Sequence, residues 1–323
     1  MKILVTGASG FIGQTLCGFL ANKDYPVTAI VRRLDGKEVE RRRLIEYIAV
    51  EDILEFSDWS KIMKSVDCIV HLAATAHRLD CSSEQLEEAF NRDKAVVKLL
   101  AQHAKEANVR RFVFLSSVKV YGEPFLNKDD HVYDEKSEIG INCDQYGLSK
   151  IACENLLINA TAQTPMSHVI IRPPLVYGNG VKANFRRLLK LSNTVLPLPF
   201  AKLDNRRSLI SVDNLVDFIL CCCGSPQADN QIFLVSDNND LSITELVATM
   251  RESMGRKARL FYFPYVLLKE LARMLGKQAE FDKLCGSFQI SIDKAMSQLN
   301  WQPTITPHQA INNATKAYLR EDQ

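Results

Sequence analysis

No apolar run in this sequence is long enough to cross a membrane. None of its nine cysteines stands at a spacing that would hold a metal ion. Charge of one sign is lacking too: 40 Lys and Arg face 38 Asp and Glu, a net charge of +2. These absences argue in turn against a membrane partner, a metal centre and a dedicated nucleic-acid surface. The one basic run, Arg41-Arg42-Arg43, reads as a solvated helix face. Cys221, Cys222 and Cys223 are consecutive, so on a helix they point in different directions and read as small core residues. There is no internal repeat and no low-complexity segment. The first strand starts at Lys2, which leaves no room for a signal peptide, and together with free thiols this predicts a cytoplasmic protein.

What is present is a long chain of ordinary globular composition. With 323 residues, 46% hydrophobic and 24% charged, it has material for about two domains. Lys2 to Thr6 reads as a buried strand that stops at Gly7, and an apolar-periodic helix through Leu16, Phe19 and Leu20 follows Gly10 and Gly13. Gly7 allows a tight turn, Gly10 lets a pyrophosphate reach the backbone, and Gly13 lets the helix pack closely. The helix start then offers N–H groups and a partial positive charge to that pyrophosphate. Tyr25 to Val31 reads as a second strand ending in Arg32-Arg33, where a dinucleotide fold meets the adenosine ribose. An acidic residue there bonds the 2′-hydroxyl of NAD, whereas arginine accommodates the 2′-phosphate of NADP. Two arginines favour NADP, with NAD as the alternative.

Val66 to Ala74 reads as a third strand, whose Ala73 and Ala74 leave space for a flat ligand and whose His71 reads as structural. Glu84 to Glu106 is a helix with an apolar stripe of Phe90, Val97, Leu100 and Ala104. Arg111 to Ser117 is a fourth strand, placing Ser116 and Ser117 at the end where open α/β sheets bind ligands. In Tyr146-Gly-Leu-Ser-Lys150 the phenol and the ammonium share one helix face, and an ammonium beside a phenol favours the phenolate, a usable acid/base. His168 to Arg172 is a fifth strand, broken by Pro173-Pro174. Later come a helix from Asn184 to Leu191, an extended segment Leu196 to Phe200, strands at Ser208 to Val212 and Gln231 to Val235, and amphipathic helices at Thr244 to Met254 and Pro264 to Leu275. Alternating strands and helices predict an α/β fold, a Rossmann-type doubly wound parallel sheet with a smaller α/β C-terminal substrate domain. The expected division is 1–172 plus about 208–238 for the dinucleotide domain, and about 173–207 and 239–323 for the other.

These motifs together resemble the extended short-chain dehydrogenase/reductase family, in its nucleotide-sugar epimerase/dehydratase branch. The resemblance rests on Gly7-Ala-Ser-Gly10-Phe-Ile-Gly13, His71-Leu-Ala-Ala74, Ser116-Ser-Val-Lys-Val-Tyr-Gly122, Tyr146-Gly-Leu-Ser-Lys150, Arg172-Pro-Pro-Leu-Val-Tyr-Gly178, Arg207-Ser-Leu-Ile-Ser-Val-Asp213 and Leu299-Asn-Trp301. It implies Tyr146 as acid/base, Lys150 on the nicotinamide ribose, and Ser117 as the hydroxyl that holds the reacting oxygen. Phe11, Ile12, Asp52, Ile53, Leu72 and Pro173 join the glycines, Arg32, Arg33, Ala73 and Ala74 in the expected cofactor site. Asn184 and Arg207 are expected on the substrate diphosphate, Leu198 along a uracil base, and Lys283 stands in for a diphosphate arginine absent from 281–288. Ser211 stands where the family often has histidine, and Phe288 falls near the position that limits room for the sugar. Val118-Lys119 replaces the acidic pair of sugar-nucleotide dehydratases, which argues against dehydration.

Three functions follow as expectations. The first is NADPH-dependent reduction of a UDP-4-keto-(6-deoxy)hexose, motivated by Arg32-Arg33. The second is a UDP-glucose or UDP-N-acetylglucosamine 4-epimerase with tightly bound NAD. The third is a non-catalytic NADP-binding regulator. A homodimer is expected through the helices carrying Tyr146 and Phe90, with Val96, Leu99, Leu100, Leu156 and Leu157 as contacts.

Overall fold

The computed structural model describes residues 1–34, 43–73, 82–122, 131–181 and 183–321. Its first half alternates strand and helix: β1 (Ile3–Thr6), α1 (Phe11–Asn22), β2 (Val27–Val31), β3 (Ile45–Ala49), α2 (Trp59–Met63), β4 (Cys68–His71), α3 (Ser83–Glu106) and β5 (Arg111–Leu115). The short β6 (Val132–Tyr133), α4 (Gln145–Thr161), β7 (Ser167–Arg172), β8 (Leu175–Tyr177), α5 (Ala183–Ser192), β9 (Leu198–Ala201), β10 (Leu209–Ser211) and α6 (Val212–Gly224) follow. The chain then runs through β11 (Gln231–Leu234), α7 (Ile243–Ser253), β12 (Leu260–Tyr262), α8 (Tyr265–Met274), α9 (Gln278–Cys285), β13 (Gln289–Ile290), α10 (Asp293–Leu299) and α11 (Pro307–Glu321).

Seven strands form one sheet in the order β11-β7-β5-β4-β1-β2-β3, and every pairing in it is parallel. A parallel sheet is covered on both faces, so its strands are apolar throughout rather than alternating. The period of two then sorts neighbours between layers. Ile3 and Val5 enter the core under α1 and α6, while Leu4 enters the core under α2, α3 and α4. Val113 and Phe112 divide in the same way, as do Ile171 and Ile170. The strand order turns back between β1 and β4, and both end on the same edge, where ligands of open α/β sheets sit. The doubly wound parallel sheet read from the sequence is thus the observed architecture.

A second core gathers α5, α7, α11 and β9 around Phe185, Leu189, Val247, Met250, Ile311 and Ala314. Three two-stranded parallel pairs, β10 with β8, β12 with β9 and β13 with β6, accompany it. The segment around α10 packs elsewhere: Ile292, Ala295 and Trp301 join the first core, and the Trp301 indole donates to Asp217 at 2.8 Å. The sequence division assigned that segment to the second domain. β3 and α2 were not expected as elements; β3 is a half-exposed edge strand held by its pairing with β2.

Candidate active site

The turn after β1 is built from backbone demands. Gly7 has a left-handed φ of 71°, and a Cβ there would stand 2.8 Å from the Ala73 nitrogen. Gly13 is tighter, since its Cβ would come 2.2 Å from the Gly7 carbonyl oxygen. The turn is clasped to the neighbouring strands: Ala8 N–H donates to the Ile30 carbonyl at 3.2 Å, and Leu72 N–H to the Thr6 carbonyl at 3.2 Å. Ala73 therefore lies against the glycine turn, while Ala74 falls outside the described residues. At Gly10 the N-cap of α1 has no side chain bonded over it, and the first turn holds no acidic residue. By contrast, Ser82, Asp144, Ser211 and Ser242 cap α3, α4, α6 and α7 with their side chains. The start of α1, with Phe11 and Ile12, thus carries no side-chain cap and no first-turn acid, a trait it shares with α2 and α8, and the glycine turn ahead of it is what sets it apart.

Arg32 and Arg33 are exposed just past the end of β2. Asp52 is held by an ion pair with Arg92 of α3 and accepts from Leu54 N–H at 2.8 Å. Those bonds keep its carboxyl below the usual range. Ile53 accepts at its carbonyl from the Trp59 indole at 3.2 Å.

Beside this turn, β5 ends in two serines with different fates. Ser116 is buried, and its hydroxyl donates to Glu154 at 2.5 Å. Ser117 is half-buried and opens a 3-10 turn, Val118–Tyr121, accepting from Lys119 N–H at 3.2 Å. The Pro173 carbonyl, at the end of β7, receives the Val118 N–H at 3.1 Å and ties the two strand ends together.

Helix α4 crosses that turn closely. A Cβ on Gly147 would stand 2.4 Å from the Lys119 carbonyl oxygen, so the glycine inside the Tyr146–Lys150 motif sets the approach. Lys150 is buried, donates to the Leu115 carbonyl at 3.0 Å, and has its Nζ 4.8 Å from the Phe114 ring centroid and 5.7 Å from that of Tyr146. The half-buried Tyr146 ring leans on Phe90 with centroids 6.5 Å apart. Beneath lies His71, stacked on Phe114 and bonded to the Thr6 hydroxyl at 2.7 Å. Burial first, and the Lys150 charge second, push its imidazole down to about 3, so it is neutral and structural.

Sequence reading missed what holds α4 in place. Tyr146, Lys150 and Glu154 recur every four residues on one face. Glu154 forms a two-pronged pair with Arg172 at 3.0 and 2.6 Å, and Arg172 also donates to the Tyr121 hydroxyl at 2.7 Å. Both charges are nearly solvent-free, 2% and 3% exposed. Burial works against the Arg172 charge, and the bonds to Glu154 override it and hold its pKa above the ordinary value. Burial raises the Tyr121 phenol to about 12. A glutamate amid the apolar Cys153 and Leu157 was the available signal.

The residues expected on substrate scatter more. Arg207 and Lys283 are brought together, since the Arg207 guanidinium donates to the Lys283 carbonyl across 76 residues of chain. The Arg207 backbone bridges both Leu241 and Phe288. Asn184 is exposed in the first turn of α5. The Leu198 side chain is buried in the second core. Phe288 is also buried, stacked on Tyr133 at 4.9 Å with Tyr121 alongside. Ser211 caps α6. Of the contacts expected of a homodimer, Val96, Leu100 and Leu157 are buried within their own chain; only Leu99 and Leu156 keep accessible surface. No group of three or more metal-ligating side chains occurs among the described residues.

The NAD dependent epimerase/dehydratase family model matches residues 3–236. A UDP-glucose 4-epimerase of Vibrio cholerae is 36% identical, the match covering 99% of this chain and 96% of that one. An N-acetyl-α-D-glucosaminyl-diphospho-ditrans,octacis-undecaprenol 4-epimerase of Escherichia coli O157:H7 is 27% identical over 92% of this chain and 89% of the other. Among solved structures, a UDP-glucuronic acid 4-epimerase of Bacillus cereus in complex with NAD superposes with a TM-score of 0.78 at 21% identity, covering all of both chains.

Proposed function

The chain belongs to the NAD dependent epimerase/dehydratase family, and from that premise we propose that it is a 4-epimerase of a UDP-hexose. The observation that carries the reading is Lys150, anchored on the Leu115 carbonyl beside Tyr146, with Ser117 two residues past the end of the same strand. The relative of 36% identity, named a UDP-glucose 4-epimerase, supports the reaction type. Epimerisation displaces reductase as the leading reading, because relatives favour it over the inference drawn from Arg32 and Arg33.

The residues present fit a nicotinamide dinucleotide: a left-handed glycine turn, an uncapped helix start and a buried lysine beside a tyrosine. That group would supply a hydride acceptor and donor for sugar C4. The chain's own side chains handle the proton and the geometry. Tyr146 takes the proton of the C4 hydroxyl as the carbonyl forms and gives it back when the hydroxyl is restored. The Ser117 hydroxyl holds that oxygen in line, and the Lys150 ammonium stabilises charge building on the Tyr146 oxygen. Arg207 and Lys283 would hold the substrate diphosphate, with Asn184 as a further candidate contact. Inversion requires the C4 ketone to turn over in the site, so that hydride comes back to the face opposite the one it left while Tyr146 returns the proton to the oxygen, with no net redox change.

The test is to release the small molecules from purified protein by denaturation and identify the dinucleotide by mass. UDP-glucose or UDP-N-acetylglucosamine is then incubated with native protein without added cofactor, and the products are followed by NMR. Bound NAD and formation of the C4 epimer are expected. Arg32 and Arg33 motivate a second reading, NADPH-dependent reduction of a UDP-4-keto sugar. Absence of any epimer, with NADPH oxidised on addition of a UDP-4-keto sugar, would establish it in place of the first.

A further inference from the structure

Helix α8 has two apolar faces where a surface helix has one. Its inward stripe, Tyr265, Leu268 and Ala272, packs into the second core against α9. Its outward stripe, Leu267, Leu271 and Met274, stands in solvent with Met274 83% exposed, and Val266 and Leu275 widen it. The strand just before α8 in the chain, β12, exposes Phe261 and Tyr262 as well. Most of the large apolar side chains exposed among the described residues fall on this face or on 191–196 beside it, where Arg259 donates to the Val195 carbonyl. Monomer surfaces rarely gather apolar groups this way without a partner.

The charges along this stretch of chain are mostly of one sign. Between Met254 and Lys277 the chain carries Arg256, Lys257, Arg259, Lys269, Arg273 and Lys277 against the single carboxylate Glu270. Glu270 is paired with Arg273 at 3.3 Å. For a chain whose net charge is only +2, this is a local concentration of cation around an apolar strip. Ten-residue α8 is too short to span a bilayer, and no helix among the described residues is long and apolar enough to do so. A short helix with an apolar strip and flanking Lys and Arg suits an anionic lipid surface, the strip entering the headgroup boundary and the cations meeting the phosphates.

We propose that α8 and β12 form a peripheral docking face for anionic membrane surfaces. The face adjoins the substrate half of the molecule: β12 pairs with β9, which holds Leu198, and α8 packs on α9, which holds Lys283. Docking there brings the substrate domain to the bilayer while the chain stays outside it. The sequence expectation of no membrane partner rested on the absence of a spanning segment, and a docking face needs none.

The experiment is flotation of the full-length protein with vesicles of phosphatidylcholine alone and of phosphatidylcholine mixed with phosphatidylglycerol. Wild type is expected to float with the anionic vesicles and not with the neutral ones, with recovery falling as salt rises. Leu271→Glu with Met274→Glu should lower recovery at least about tenfold while turnover of soluble UDP-sugar is unchanged. Lys269→Glu with Arg273→Glu should remove the preference for phosphatidylglycerol. Failure of wild type to float with anionic vesicles overturns the proposal, as does undiminished flotation of the Leu271→Glu, Met274→Glu protein. So does a wild-type dimer that these two substitutions convert to monomer, because the face would then belong to a second copy.

Discussion

Lys150 is fixed between a backbone carbonyl and a phenol: its Nζ donates to Leu115 at 3.0 Å and stands 5.7 Å from the Tyr146 ring centroid. The carbonyl belongs to the last residue of β5, so the strand that presents Ser117 also fixes the ammonium. Replacing Tyr146 by Phe removes the proposed proton carrier and leaves the packing against Phe90. The expected result is a kcat lower by about a hundred- to ten-thousandfold with KM near wild type. Steady-state kinetics beside a mass assay of bound dinucleotide will check it, and undiminished turnover would remove Tyr146 from the mechanism.

The buried pair Glu154–Arg172 predicts an asymmetry between single and double replacements. Arg172→Leu strands a carboxylate that is 2% exposed and should cost about 3–5 kcal/mol of folding stability. Glu154→Leu combined with Arg172→Leu leaves no orphan charge and should recover most of that loss. Urea unfolding of the three proteins decides it; additive losses would mean the pair is not coupled.

The buried neutral His71 predicts acid sensitivity of defined sign. Its folded pKa is about 3, below the unfolded value, so below pH about 6.5 the unfolded chain binds a proton that the native protein refuses. Stability is full above that pH and falls as pH drops, by up to about 1.4 kcal/mol per pH unit from this group alone. His71→Gln should flatten the fall between pH 6.5 and 5, measured by denaturant unfolding. An unchanged slope would assign the acid sensitivity to other groups.

The glycine turn predicts a graded pair of alanine variants. A Cβ at residue 13 would meet the Gly7 carbonyl at 2.2 Å, whereas one at residue 10 would stand 3.2 Å from the same oxygen. Gly13→Ala should therefore cost about 1–3 kcal/mol and empty the dinucleotide site, with Gly10→Ala clearly milder in stability. Thermal unfolding and quantification of bound cofactor will read both effects, and equal losses would contradict the geometry.

The sheet was legible because its demands are local. Gly7, Gly10 and Gly13 announce a turn and a helix start within seven residues, and the apolar runs at Ile3, Cys68, Arg111 and Ser167 begin strands that are buried on both faces. Tyr146 and Lys150 were legible for the same reason, being one helical turn apart. What failed depends on partners far away in sequence. β3 reads Ile-Glu-Tyr-Ile-Ala, a half-exposed edge that only its pairing with β2 makes a strand. Trp301 was placed in the second domain because the chain had already left the first, yet it returns to pack on Phe218 at 4.8 Å. Leu198 belongs to a motif of apolar and proline residues that gives no sign of which side chain turns inward. The outward strip of α8 is invisible to a reading that takes amphipathic helices to be one-sided.

Phe11 opens α1 at the glycine turn, packs against both large cores, and lies 3.9 Å from where a Cβ on Gly180 would be. One ring is therefore a wall common to the glycine turn and to the segment leading into α5. If dinucleotide loading settles that ring, affinity for a UDP-sugar rises by some factor, and sugar loading must tighten the dinucleotide by the same factor. Protein stripped of its dinucleotide is then the wrong reference for weighing substrates against one another, because the stripping would already have altered the quantity to be compared.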